Sequence, residues 1–126
     1  MKYTVAASLL LAATAVAVPL EARAAPDVRF ALSNDQSGAY AGVTFSADGT
    51  DKRIRTLFGA TSVGSSGHIL ASSGQLTQVT GGTSCVLKYN GVTATLNADR
   101  TYIDLDGNPA KATPVNLDNA VINCHA

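Results

Sequence analysis

Between Thr83 and Asp106 apolar and polar positions alternate with a period of two. Cys85, Leu87 and Tyr89 interleave with Val86 and Lys88, the pattern of a half-buried strand. Asn90-Gly91 follows at once, and both residues tolerate the positive φ that a type I′ hairpin turn demands. Val92, Ala94 and Leu96 then alternate with Thr93, Thr95 and Asn97, which predicts a second strand folding back on the first. After a polar break at Ala98-Asp99-Arg100, Thr101, Ile103 and Leu105 alternate with Tyr102 and Asp104. The three runs together predict a β-meander.

The same period organises the chain before this stretch. Val28, Phe30 and Leu32 alternate with Asp27, Arg29, Ala31 and Ser33, and the turn-prone Asn34-Asp35-Gln36-Ser37-Gly38 ends the run. Ala41, Val43 and Phe45 alternate with Gly42, Thr44 and Ser46, and Asp48-Gly49 reads as the closing turn. Lys52 to Phe58 fits two templates. Ile54, Leu57 and Phe58 match a helical turn capped by Thr50 or Asp51, and the same residues match a short strand. Gly59 to Gly67 reads as loop, and His68–Ala71 and Gln75–Thr80 as two short strands joined by Ser72-Ser73-Gly74. Asp106-Gly107-Asn108-Pro109 is a turn. The last segment, from Pro114, takes its apolar positions from Val115, Leu117, Val121, Ile122 and Cys124, with a turn or bulge at 116–119.

Seven to eight short strands, with turn signals every 8 to 12 residues, predict an all-β fold, a small antiparallel β-sandwich or barrel. The chain shows no internal repeat, low-complexity tract or linker.

Its first residues set the compartment. Met1-Lys2 is a basic start, Val5 to Val18 an apolar run, and Ala15-Val16-Ala17 a small-residue cleavage pattern, so residues 1–17 read as a signal peptide. Residues 18–23 read as a possible pro-segment ending at Arg23, which leaves 24–126 as a single all-β domain in a secreted, extracellular protein. That segment carries seven Lys or Arg against eight Asp, a net of −1, and so lacks the charge that nucleic acid or a membrane surface requires. The basic group Lys52, Arg53 and Arg55 is flanked by Asp48 and Asp51 and reads as a solvated turn. Two cysteines in a secreted chain most economically form one bridge, Cys85–Cys124. No cofactor or metal is implied, since neither cysteine has a spaced Cys or His partner.

Candidate chemistry is sparse. Asp104-x-Asp106-x-Asn108 begins like a calcium loop, but Pro109 and Val115 occupy the places of its glycine and bidentate acid, so a hairpin turn is expected. His68 is a candidate general base. Ser65, Ser66, Ser72 and Ser73 are candidate nucleophiles, none of them in a G-x-S-x-G elbow. Glutamate is absent after Glu21, so paired-carboxylate hydrolysis would fall to aspartates alone. Tryptophan is absent throughout, which leaves Tyr40, Tyr89 and Tyr102 as stacking platforms. Alternation places Tyr89 with Cys85 and Leu87 in the core, and Tyr102 beside Asp104 on the opposite face. Tyr102, Asp104 and Tyr40 are therefore the candidate binding residues.

The segments VRFALSNDQSGA from Val28 to Ala39, Leu57-Phe58-Gly59, ASSGQLTQV from Ala71 to Val79, the Cys85 strand and Leu105-Asp106-Gly107 resemble small secreted proteins of filamentous ascomycete fungi, uncharacterised and of effector-candidate type. The resemblance implies secretion and a fungal source, and it carries over no functional residue. The reading that follows is a secreted, non-enzymatic interaction protein of effector or cell-surface type, whose partner is an unknown protein or a cell-wall polysaccharide. A polysaccharide-binding module requires Tyr40 and Tyr102 exposed together. A small secreted hydrolase requires His68 and an aspartate to converge in a pocket.

Overall fold

The computed structural model describes residues 25–107 and 113–126. The predicted leader and pro-segment, and Asn108-Pro109, lie outside these residues. Asp27–Asn34 (β1) and Ala39–Ser46 (β2) form a hairpin in unbroken register from Asp27 opposite Ser46 to Asn34 opposite Ala39. The turn closes because Gly38 takes φ +82° and donates its N–H to the Asn34 carbonyl at 2.7 Å. The Asn34 side chain also accepts from the N–H groups of Gln36 and Ser37.

Asp48–Arg53 is a strand (β3), not the predicted turn. Gly49 has the positive φ of a turn residue, but pairing with the C-terminal strand holds the segment extended. The two templates that competed over Lys52 to Phe58 divide it between them, strand to Arg53 and then a short helix, Ile54–Phe58 (α1). Arg53 occupies the N-cap with no side-chain bond, so neither Thr50 nor Asp51 is the cap. The helix is anchored by Ile54 and Phe58, both fully buried, and is followed by a 3-10 turn at Ser62–Gly64.

The remaining strands are Leu70–Ala71 (β4), Ser73–Gln78 (β5), Ser84–Tyr89 (β6), Val92–Asn97 (β7), Tyr102–Asp104 (β8), Val115–Asn116 (β9) and Val121–His125 (β10). They form one four-stranded sheet in the order β2-β1-β5-β8, a second in the order β3-β10-β6-β7, and the two-stranded pair β9-β4. Every pairing is antiparallel, so the predicted all-β, sandwich-like class stands, with ten strands among the described residues.

The β6–β7 hairpin has the predicted turn, with φ +48° at Asn90 and +81° at Gly91. The meander does not extend further. After a tight turn in which Asn97 and Arg100 exchange backbone bonds, the chain crosses to the other sheet and β8 pairs with β5. Alternation fixes which face Ile103 and Tyr102 show, but it does not fix which edge they join.

The core is filled from both sheets. Val28, Phe30, Leu32, Phe45 and Leu76 meet Cys85, Leu87, Leu96, Ile122 and Cys124, all almost without solvent exposure. Phe30 and Phe58 pack edge to face, with centroids 6.2 Å apart and planes at 83°, a contact that contributes about 1 kcal/mol beyond its buried area. Gly74 makes room for this arrangement. A Cβ there would stand 2.7 Å from the tip of the Phe30 ring. Tyr89 is buried as predicted, and its hydroxyl donates to the Leu105 carbonyl at 3.1 Å.

Cys85 and Cys124 are cross-strand neighbours on β6 and β10 and form the predicted disulfide across 39 residues of sequence. Replacing both by Ala should cost roughly 4 kcal/mol on the chain-entropy model, read as a lower denaturation midpoint in urea. Gly74→Ala should cost about 1 to 3 kcal/mol by overpacking against Phe30, measured in the same titration.

Candidate binding face

The outward residues of the β2-β1-β5-β8 sheet form two adjoining rows. Strand register sets Tyr40, Ser33, Ser73 and Asp104 side by side, and next to them Gly42, Ala31, Gln75 and Tyr102. Tyr40 and Tyr102 therefore stand at diagonal corners of one floor, on the two outer strands of the sheet. Three strand spacings separate them, ~14 Å measured across the sheet. Both residues are more than half exposed, at 58% and 55%. A shallow cavity of about 260 Å³ lies between them over Ala31, Ser33 and Ser73, with Asp35 at one end.

The floor is low because its side chains are small, and it is closely covered. Ala31 is 2% exposed although it lies outside the hydrophobic core cluster, so it is sealed by its neighbours on the outer face. The end of the floor is braced by polar contacts. Ser72 Oγ donates to the Ser33 carbonyl or the Asp35 carboxylate, at 3.2 and 3.1 Å, and accepts from the Asp35 N–H at 3.0 Å. Asn34 Nδ2 reaches the Leu70 carbonyl, and Ser62 Oγ donates to the Tyr40 carbonyl at 3.0 Å, which holds the strand beneath the ring.

Asp104 sits beside Ser73 and is less accessible than either tyrosine. Its Oδ2 is closed off from solvent, and among the described residues that atom has no hydrogen-bond partner. A side-chain hydrogen bond with Asp106, followed by desolvation and repulsion from the same carboxylate, raises the Asp104 pKa. Asp106 in turn accepts the Thr113 N–H at 2.8 Å. Among the described residues no group of three or more His, Cys, Asp or Glu side chains is arranged to hold a metal.

His68 lies elsewhere. The β4–β9 ladder continues one step through the Leu117 N–H and Ile69 carbonyl, which brings His68 level with Asp118. Nδ1 of His68 is 2.6 Å from Asp118 Oδ2, Arg55 reaches the same oxygen at 3.4 Å, and the Ile69 N–H donates to Oδ1. The bond with His68, then the backbone bond from Ile69, hold the Asp118 pKa low. The His68 side chain is 60% exposed. The predicted nucleophiles do not join it: Ser65 and Ser66 donate to the carbonyls of Ser62 and His68, Ser72 braces Asp35, and Ser73 lines the tyrosine floor. On β3, Lys52 is bound to Asp48 at 3.1 Å, and hydrogen bonds from Thr50 and Lys52 bring the Asp48 pKa down to about 2.

Of the predicted binding residues, the structure brings all three onto one sheet face, Tyr40 and Tyr102 bordering the cavity and Asp104 beside it. Sequence reasoning missed the floor, Ala31, Ser33 and Gln75. Their outward alternation was visible, but strand order was needed to place them between the tyrosines. It also missed Asp118, which reaches His68 across 50 residues of sequence. No protein-family model matches this chain, and neither a curated protein nor a solved structure matches it.

The raised Asp104 pKa means that the fold resists ionisation of this carboxyl. The resulting cost is absent in acid, where the group is protonated in both folded and unfolded chains. It grows as pH rises through the unfolded value of about 3.9. Asp104→Asn should therefore raise the thermal midpoint at pH 7 and leave it unchanged near pH 3, as followed by circular dichroism.

Proposed function

We propose that this chain is a secreted, non-enzymatic binding protein of fungal type that lays a polysaccharide along the β2-β1-β5-β8 face. One observation carries the reading: Tyr40 and Tyr102 flank a single floor of small residues. Sugar rings present CH groups that stack on aromatic faces, and two separated rings over a shallow groove suit an extended chain of sugar units. Large exposed apolar side chains are few here. Tyr40, Val92 and Tyr102 are the three among the described residues, and two of them border this cavity.

Secretion is supported by the leader pattern of residues 1–17 and by the Cys85–Cys124 bridge, which persists in oxidising compartments. No helix among the described residues is long and apolar enough to cross a membrane. The hydrolase reading has one observation in its favour, the His68–Asp118 pair. Asp118 borders a small cavity of about 190 Å³, but His68 does not line it, and the carboxylate is already shared among three donors.

Purified protein with its disulfide intact should be retained on one or more of insoluble chitin, β-glucan, cellulose and pectin. Tyr40→Ala and Tyr102→Ala should each weaken retention about threefold to tenfold with circular dichroism unchanged. If the wild-type protein is retained on none of these polymers, or the tyrosine variants bind as well as it does, the polysaccharide reading fails and a protein partner takes its place.

A further inference from the structure

The tyrosine face carries a cation, and the packing around it indicates what that cation serves. Arg29 is the one basic residue in β1, β2, β5 and β8. It points to the outer face, in the row after Gly42 and Ala31, and Asp27 follows on the same side of β1. Its guanidinium leans away from Asp27 and lies over Gly42. A Cβ at Gly42 would stand 2.9 Å from both Nε and Nη2 and 3.0 Å from Cζ, so these three atoms are nearly equidistant from that point and the group lies flat against the strand. This seat exists because residue 42 has no side chain.

Among the described residues the charge has no ion-pair partner: no carboxylate lies within 4.0 Å of Arg29, and its one side-chain hydrogen bond is a long one, 3.4 Å from Nη1 to Thr44 Oγ1. A guanidinium has five N–H donors in a planar fork suited to carboxylate. Here the fork is exposed, beside the same Ala31 floor that the tyrosines border. Two acids of the face, Asp35 and Asp104, lie towards its other end, while Asp27 lies beyond Arg29 on the same side of β1 but outside ion-pair distance of it.

We infer that Arg29, seated over Gly42, is a carboxylate subsite of the tyrosine face, so that the polysaccharide it takes carries uronic acid units. The inference rests on the polysaccharide reading above and narrows it by charge complementarity. Whole-molecule electrostatics do not supply the selectivity, because residues 24–126 carry a net of only −1. Discrimination falls to Arg29, the one guanidinium carried by these four strands; Arg100 borders a separate cavity on the β7 side of Tyr102.

The test compares polygalacturonate with the same polymer fully methyl-esterified, and dextran sulfate with dextran, binding to the disulfide-intact protein by calorimetry. The wild-type protein should prefer the free acid over the ester by roughly tenfold to a hundredfold, the range for one charge-assisted contact. Arg29→Gln should bind acid and ester alike. Gly42→Ala should lose much of the preference with the charge retained, since its methyl displaces only the mobile end of Arg29. An acid preference that survives in Arg29→Gln, equal wild-type binding of acid and ester, or stronger binding of dextran sulfate than of polygalacturonate would overturn the subsite. Should the ester or a neutral polymer still bind in a Tyr40- and Tyr102-dependent way, the polysaccharide reading stands and only the subsite is lost. If binding to every polymer ignores both tyrosines, the broader reading is lost as well.

Discussion

Alternation along β1 is the constraint from which both the core and the candidate binding face follow. This strand has neighbours on both sides, β2 and β5, so its side chains have only two directions to take. Val28, Phe30 and Leu32 go inward and are completely buried. Arg29, Ala31 and Ser33 go outward and become the cation and the floor of the tyrosine face. A one-residue slip in register would exchange the two sets, placing a guanidinium in the core and a phenyl ring on the floor. The burial of Phe30 between Gly74 and Phe58 thus fixes the chemistry on the far side of the sheet as firmly as it fixes the packing.

Small residues do corresponding work on the two faces of the same sheet. On the inner face Gly74 admits the Phe30 ring, and on the outer face Gly42 admits the Arg29 guanidinium. The two sites differ in what surrounds the missing Cβ. Around Gly74 the neighbour is a ring locked in a packed core, where interiors give little before strain appears. Around Gly42 the neighbour is the end of a flexible side chain in solvent, so its position is a matter of fit rather than stability. The disulfide belongs to the other sheet. It joins β6 to β10 and thereby ties the C-terminal strand to the middle of the sandwich.

The fold class was legible because strand faces are a local property. Period-two alternation identified β1, β2, β6 and β7, the Asn90-Gly91 turn identified their closest hairpin, and two cysteines left one economical pairing. Strand order was not legible, because it depends on where the chain goes after a turn. Thr101 to Leu105 has the alternation of a third meander strand, yet β8 lies in the other sheet beside Gln75. Asp48-Gly49 has turn chemistry, but pairing with β10 overrides it. The candidate site was legible in part for the same reason. Tyr102 could be assigned to an outward face, whereas its meeting with Tyr40 over Ala31 required the order β2-β1-β5-β8.

That order also separates the face from the other cluster of polar side chains. His68, Asp118 and Arg55 sit at the end of the short β4–β9 ladder, where the exposed side chains of His68 and Arg55 converge on a mostly buried Asp118. The tyrosine face rests on four paired strands whose backbone positions are set by the core beneath them. A ligand spread over such a face meets groups that need little ordering on binding, since only a few outward side chains keep rotamer freedom. Arg29 is one of these, and laying it against the strand at Gly42 removes part of that freedom in advance. The proposed carboxylate subsite is thus also the part of the face whose ordering cost the fold has already lowered.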